Sequence, residues 1–226
     1  ECHSTVDSTM EVVTNLKKQL NKLLIIQPHL STGGCPQYLL DYLTEFENNY
    51  SEIKVVEASN LSREFVVQKN KLISSIGKNN LVTLGEFECS EEQWFKDKQQ
   101  LIPIIQNYSP DIIWFNECPE GFEYRKIPND ILDKISTSDR DYKIIETTHY
   151  NAFDFSQKRY IPDEFMFCSQ KHLKDSEHID IPKTVWEVPI KKKIKPNREQ
   201  TLSSLGLDPT KFHVLNVGLF NDNNNQ

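Results

Sequence analysis

The chain has 226 residues, of which 37% are hydrophobic and 26% charged, with 12 Phe, 8 Tyr and a formal net charge of -7. That is enough apolar sequence for a substantial core and argues against disorder except at the ends, while the acidic balance argues against a protein whose main surface grips a nucleic-acid backbone. No apolar run approaches the roughly 20 residues that span a bilayer, and the opening Glu1-Cys2-His3-Ser4-Thr5 lacks the charged and apolar regions of a secretory signal, so the expectation is a cytoplasmic protein. The five cysteines, Cys2, Cys35, Cys89, Cys118 and Cys168, are odd in number and form no Cys-x-x-Cys pair. They read as reduced thiols, with neither a disulfide framework nor a zinc site.

In chain order, Ser8-Thr9-Met10-Glu11 has capping-box spacing and is followed by Leu16 and Leu20 at helical intervals. Leu23-Leu24-Ile25-Ile26 then reads as a strand covered on both faces, Gly33 and Gly34 as a turn, and Pro36 as part of the first turn of a helix bearing Leu39, Leu40, Tyr42, Leu43 and Phe46. Unsatisfied N–H groups and the positive end of the helix dipole coincide at such a start, which suits a phosphate or carboxylate; a tight connection is the alternative reading. A strand is expected over Ile53-Lys54-Val55-Val56-Glu57-Ala58, a shorter one over Phe65-Val66-Val67-Gln68, a weak helix through Leu72 and Ile76, and a strand over Leu81-Val82-Thr83-Leu84. Ser90-Glu91-Glu92-Gln93 opens a helix carrying Trp94, Phe95, Leu101, Ile104 and Ile105, which Pro103 should kink or shorten.

Three further strands run into polar tips or a short helix. Asp111-Ile112-Ile113-Trp114-Phe115 leads to Asn116, Glu117, Cys118 and Glu120; Tyr142-Lys143-Ile144-Ile145-Glu146 leads to Thr147, Thr148 and His149; Glu164-Phe165-Met166-Phe167-Cys168 leads to Ser169 and His172. Val185-Trp186-Glu187-Val188-Pro189-Ile190 closes the series. Strands alternating with helices predict an α/β fold with a doubly wound, mainly parallel sheet, helices on both faces and functional groups at the carboxyl ends of strands. Lys191-Lys192-Lys193-Ile194-Lys195-Pro196 reads as a solvated linker, Asn197 as the cap of a short helix stopping at Gly206, and Phe212-His213-Val214-Leu215-Asn216-Val217-Gly218 as a fresh strand-glycine unit.

Taken in order, His29-Leu30-Ser31-Thr32-Gly33-Gly34, Glu146-Thr147-Thr148-His149, Phe165-Met166-Phe167-Cys168-Ser169, Val188-Pro189-Ile190 and Leu205-Gly206-Leu207-Asp208-Pro209 before Leu215-Asn216-Val217-Gly218-Leu219-Phe220 resemble the retaining GT-B glycosyltransferases, the group related in layout to glycogen and sucrose synthases. The resemblance implies two Rossmann-like domains with sugar transfer in the cleft between them and no required metal or other cofactor. It divides the chain into a helical appendage over 1–21, an acceptor-side domain over 22–190, a linker and short helix over 191–210, and the start of a donor-binding domain over 211–226. It also implies that Gly33 and Gly34 line the cleft near the donor phosphates and that His149 is the catalytic-site residue reaching towards the transferred sugar. His29, Glu117 and Glu120 are the candidates for binding acceptor hydroxyls. The implied partners are a nucleotide sugar, a carbohydrate or other hydroxyl acceptor, and a second domain of the same protein; the expectation is that these residues transfer no sugar alone. Where the family commonly has a basic residue after the strand-glycine unit, this chain reads Asn221-Asp222-Asn223-Asn224-Asn225-Gln226.

Two other readings compete. Cys35 at a helix start, His149 and Glu117 could serve as nucleophile, base and orienting carboxylate of a hydrolase, since a helix N-terminus lowers a thiol pKa. Cys35 filling a turn is the bland counterpart. A non-catalytic binding module on the same fold is the other.

Overall fold

A computed structural model of the protein describes residues 21–61, 66–121, 127–150, 153–187 and 197–214. The expected helix after Ser8, the basic stretch after Ile190 and the strand-glycine unit ending at Gly218 lie wholly or mostly outside those residues. The chain divides into two compact units, 1–188 and 189–226.

In the first unit, seven strands form one sheet: β1 (Asn21–Gln27), β2 (Tyr50–Glu57), β3 (Leu81–Thr83), β4 (Ile112–Phe115), β5 (Lys143–Glu146), β6 (Glu164–Phe167) and β7 (Lys183–Val185). Their order is β3-β2-β1-β4-β5-β6-β7, and every pairing is parallel. The order reverses between β1 and β4, where a doubly wound sheet opens a crevice beyond the carboxyl ends of its strands. The fold is therefore the expected Rossmann-like α/β arrangement.

Alternation along β1 separates two cores. Leu23 and Ile25 pack with Leu39 and Leu43 of α1 (Gly34–Phe46), Leu72 of α2 (Val67–Ile76) and Trp114. Leu24 and Ile26 face the other way, onto Leu101 and Ile105 of α4 (Leu101–Tyr108) and onto Ile131, Leu132 and Ile135 of α5 (Asn129–Ile135). All four β1 side chains are fully buried, each contributing about 1.5–3 kcal/mol by leaving water. A third cluster of Phe155, Phe165 and Phe167 closes the β6 end above α6 (Gln170–Asp175).

Several local expectations need correction. Val67 and Gln68 begin α2 instead of ending a strand; burial of Leu72 against the sheet decides the matter over the local β-branched run. The helix opened by Ser90, whose Oγ accepts the Gln93 N–H at 3.2 Å, ends as α3 (Glu91–Gln99), and α4 starts afresh at Leu101. Pro103 explains the break: its ring cannot share a continuous helix with the carbonyl four residues back, whereas in the first turn of α4 it displaces no hydrogen bond. Among the described residues the last strand is β7, ending at Val185, and Val188-Pro189-Ile190 of the expected closing strand lie outside them. Among the described residues no helix is long and apolar enough to cross a membrane. In the second unit, Asn197 caps α7 (Arg198–Ser204) through its Oδ1, which accepts from Gln200 N at 3.2 Å.

Candidate functional site

At the β1/β4 reversal lies a cavity of about 290 Å³, lined by the loop from His29 to Pro36 together with Leu61, Glu117, His149 and Tyr150. The loop after β1, the tip of β4 and the tip of β5 thus contribute to one site. His29, Gly33, Gly34, Glu117 and His149 all meet there, and Glu120 is not among its lining residues.

Gly33 stands immediately before α1 with φ 148° and ψ 178°, and no side chain caps the helix. That backbone region is essentially restricted to glycine. A Cβ at Gly34 would meet nothing within 4 Å, so this part of the lip is open backbone at a helix N-terminus. The loop is held from beneath by Glu57 at the end of β2, a buried carboxylate that accepts the Leu30 N–H at 2.8 Å, the Thr83 hydroxyl at 2.8 Å and the Lys69 ammonium at 2.5 Å.

His149 is oriented by a buried amide relay. Gln27, the last residue of β1, donates from Nε2 to the His29 carbonyl at 3.1 Å and to Cys35 Sγ at 3.1 Å, while its Oε1 accepts Asn116 Nδ2 at 2.7 Å. With its amide nitrogen so used, Asn116 presents Oδ1 to His149 Nε2 at 3.0 Å. The imidazole therefore donates from Nε2 and keeps its lone pair on Nδ1. Burial, with a smaller effect from nearby His172, pushes its pKa down to about 4, so the ring is neutral at pH 7. Glu117 accepts the backbone N–H groups of Cys118 at 2.8 Å and of His149 at 3.1 Å, which locks the two strand tips together.

The contacts differ from those of the hydrolase reading: His149 Nε2 donates to Asn116 Oδ1, Glu117 accepts the backbone N–H of His149, and Cys35 donates its S–H to the Asn116 carbonyl at 3.0 Å. Glu120 is engaged elsewhere. It pairs with Lys158 and accepts the N–H groups of Arg159 at 2.5 Å and Tyr160 at 3.0 Å. It fastens a loop, so the expectation that it binds an acceptor has no support from its position.

Lys158 is a buried residue that sequence reasoning missed. Its fully buried ammonium contacts Glu146 at 2.8 Å, Glu120, and Cys118 Sγ at 3.8 Å. Donor atoms of Cys118, Glu120 and Glu146 lie within 4.8 Å of one another, spacing compatible with a metal ion, but the cation they surround is Lys158. Burial alone would lower the lysine pKa; the negative charge of the adjacent carboxylates, Glu146 foremost and Glu120 with it, outweighs burial and holds the amine protonated. Gln27, Asn116, Glu57 and Lys158 carried no motif, and their one signal in the sequence is that Gln27, Glu57 and Asn116 stand at or just beyond the ends of apolar strands.

No protein-family model matches the sequence, and no curated protein matches it. Among solved structures, the chain is similar to Anabaena HepE (Alr3699) in complex with UDP-glucose, with a TM-score of 0.53 at 12% identity, 82% of this chain aligning with 50% of that one. It is similar also to the same protein in complex with UDP and glucose, with a TM-score of 0.52, 12% identity and the same shares of the two chains. The protein thus spans about half the length of a UDP-glucose-binding neighbour, and at this identity what the two share is the fold.

Proposed function

We propose that residues 22–190 are the acceptor-side domain of a retaining glycosyltransferase, one that moves a hexosyl group from a nucleotide sugar to an acceptor hydroxyl without a metal ion. The observation carrying this reading is the convergence of an uncapped glycine lip and a neutral, rigidly oriented His149 on one cavity at the β1/β4 reversal. The fold likeness to a protein that binds UDP-glucose supports it. In this reading the donor's diphosphate lies against the backbone at Gly33 and Gly34, where helix-start dipoles offset the charge that grows on the leaving group. His149 Nδ1 and Glu117 face the sugar and acceptor hydroxyls. The acceptor oxygen bonds to the anomeric carbon as the carbon–phosphate-oxygen bond breaks; the electron pair leaves with the nucleoside diphosphate, and the acceptor proton passes to its phosphate oxygen. Residues 211–226 would belong to the donor-binding domain.

Saturation-transfer NMR with UDP-glucose tests the proposal on this chain. Binding is expected, with Gly34→Asp weakening it at least about tenfold by setting a carboxylate against the phosphates, and His149→Ala attenuating transfer to the sugar protons. Gly34 has room for a side chain, so the Asp variant should fold. Undiminished binding in Gly34→Asp would overturn the placement of the diphosphate.

A further inference from the structure

Tyr38 of α1 touches two parts of the first unit that are distant in sequence. Its ring centroid lies 4.9 Å from that of His149 at an interplanar angle of 78°, and 4.8 Å from that of Trp186 at 71°. Its hydroxyl donates to the Trp186 carbonyl at 3.1 Å. Trp186 in turn meets Tyr42 at 5.4 Å and Phe46 at 5.7 Å, both edge-on, and its backbone N–H donates to the Phe167 carbonyl at 2.8 Å, just beyond β7. Gly34, Tyr38, Tyr42 and Phe46 recur every four residues and so form one stripe along α1. The same helix therefore carries the cavity lip, the ring against His149 and the two rings that hold Trp186.

Trp186 is two residues before Val188, where the first unit ends. We propose that Tyr38 is a positioning residue that couples the chain's exit from this unit, at Trp186, to the placement of the His149 imidazole in the cavity. Asn116 bonds one edge of the imidazole and the Tyr38 ring packs against it, so both contacts set where the imidazole sits. Edge-to-face aromatic contacts are worth about 0.5–1.5 kcal/mol each beyond area burial, and close-packed rings pass displacement on instead of absorbing it. A shift of the backbone at Trp186 pulls on both the ring contact and the hydroxyl tie of Tyr38. The coupling rests on the proposed role of His149 for its consequence in catalysis, but its existence is readable without any ligand.

The groups around His149 are Asn116 on Nε2, Glu117 on its backbone N–H, the Tyr38 ring, and His172, whose proximity also disfavours protonation. NMR titration of the His149 ring Cε1–H resonance reads the coupling. Trp186→Leu is expected to move the midpoint upward by about one pH unit as Tyr38 loosens and the imidazole gains water, with Trp186→Phe restoring most of the wild-type value. Tyr38→Phe keeps the ring and removes only the tie to the Trp186 carbonyl, so it folds where the leucine variant fails to, and it should shift the midpoint in the same direction by less. Trp94→Phe, on α3, is the control that leaves it unchanged. Unaltered His149 midpoints in Tyr38→Phe and in folded Trp186→Leu would overturn the coupling. UDP-glucose binding measured separately on the same proteins tells the two ideas apart: a shifted midpoint without binding refutes the functional reading and keeps the coupling, and binding without a shift does the reverse.

Discussion

Replacing His149 by Gln should change the pH dependence of stability in a calculable way. Folded His149 takes up a proton only near pH 4, whereas the ordinary imidazole value is 6.5. Between those values the unfolded chain binds more protons, so stability falls as pH is lowered through 6.5 towards 4. A single group with these two values costs about 2 kcal/mol of stability between pH 7 and pH 5. Glu146 works in the opposite sense. Burial pushes its carboxyl up to about 7 against the attraction of Lys158, so the folded form binds a proton before the unfolded one does, and stability is gained as pH falls from 7 towards 4.5. The wild-type profile mixes the two contributions, but Glu146 is common to wild type and His149→Gln, and their difference isolates the imidazole. Gln retains an N–H for Asn116 Oδ1. Urea unfolding followed by circular dichroism at pH 7 and pH 5 should show the variant losing about 2 kcal/mol less than wild type. Parallel profiles, with a difference below about 0.5 kcal/mol, would refute the assignment of a buried neutral ring.

The paired glycines should respond differently. Gly33→Ala forces a Cβ into a backbone region with φ 148° and is expected to cost roughly 1–3 kcal/mol in urea unfolding, whereas Gly34→Ala, with open space around its Cβ, should stay within about 0.5 kcal/mol of wild type. Equal effects would show that the turn is not strained at Gly33. Lys158→Met strands Glu146 in an apolar environment and should destabilise by about 3–5 kcal/mol at pH 7, while adding Glu146→Gln recovers a large part of that loss; a double variant as unstable as the single one would mean that the pair's charge is not what matters.

The parallel sheet and the cavity's principal residues were legible because their signals are local. Four consecutive branched residues at Leu23 to Ile26 demand cover on both faces, and Gly33-Gly34 before Pro36 marks a strand-to-helix turn whatever surrounds it. His149 and Glu117 could be placed at strand tips from the apolar runs before them. The strand expected at Phe65 to Gln68 failed because a three-residue apolar run is compatible with either structure, and the contact that decides, Leu72 on the sheet, is tertiary. The setting of Glu120 was illegible for a related reason: a loop carboxylate has no partner in sequence, and the Lys158 that pairs with it lies 38 residues away.

The sequence by itself determined the class of the fold, most of its strands and the turn that shapes the cavity lip, since each depends on hydrophobic periodicity and the backbone freedom of neighbouring residues. Only the tertiary structure decided which polar residues act together. The Gln27, Asn116 and His149 relay joins the ends of β1, β4 and β5, and Tyr38 touches both His149 and Trp186, the latter 148 residues along the chain from it. Hydrogen-bond geometry, burial and the charge state of His149 are properties of the space between strands, which exists only once the sheet has closed around it.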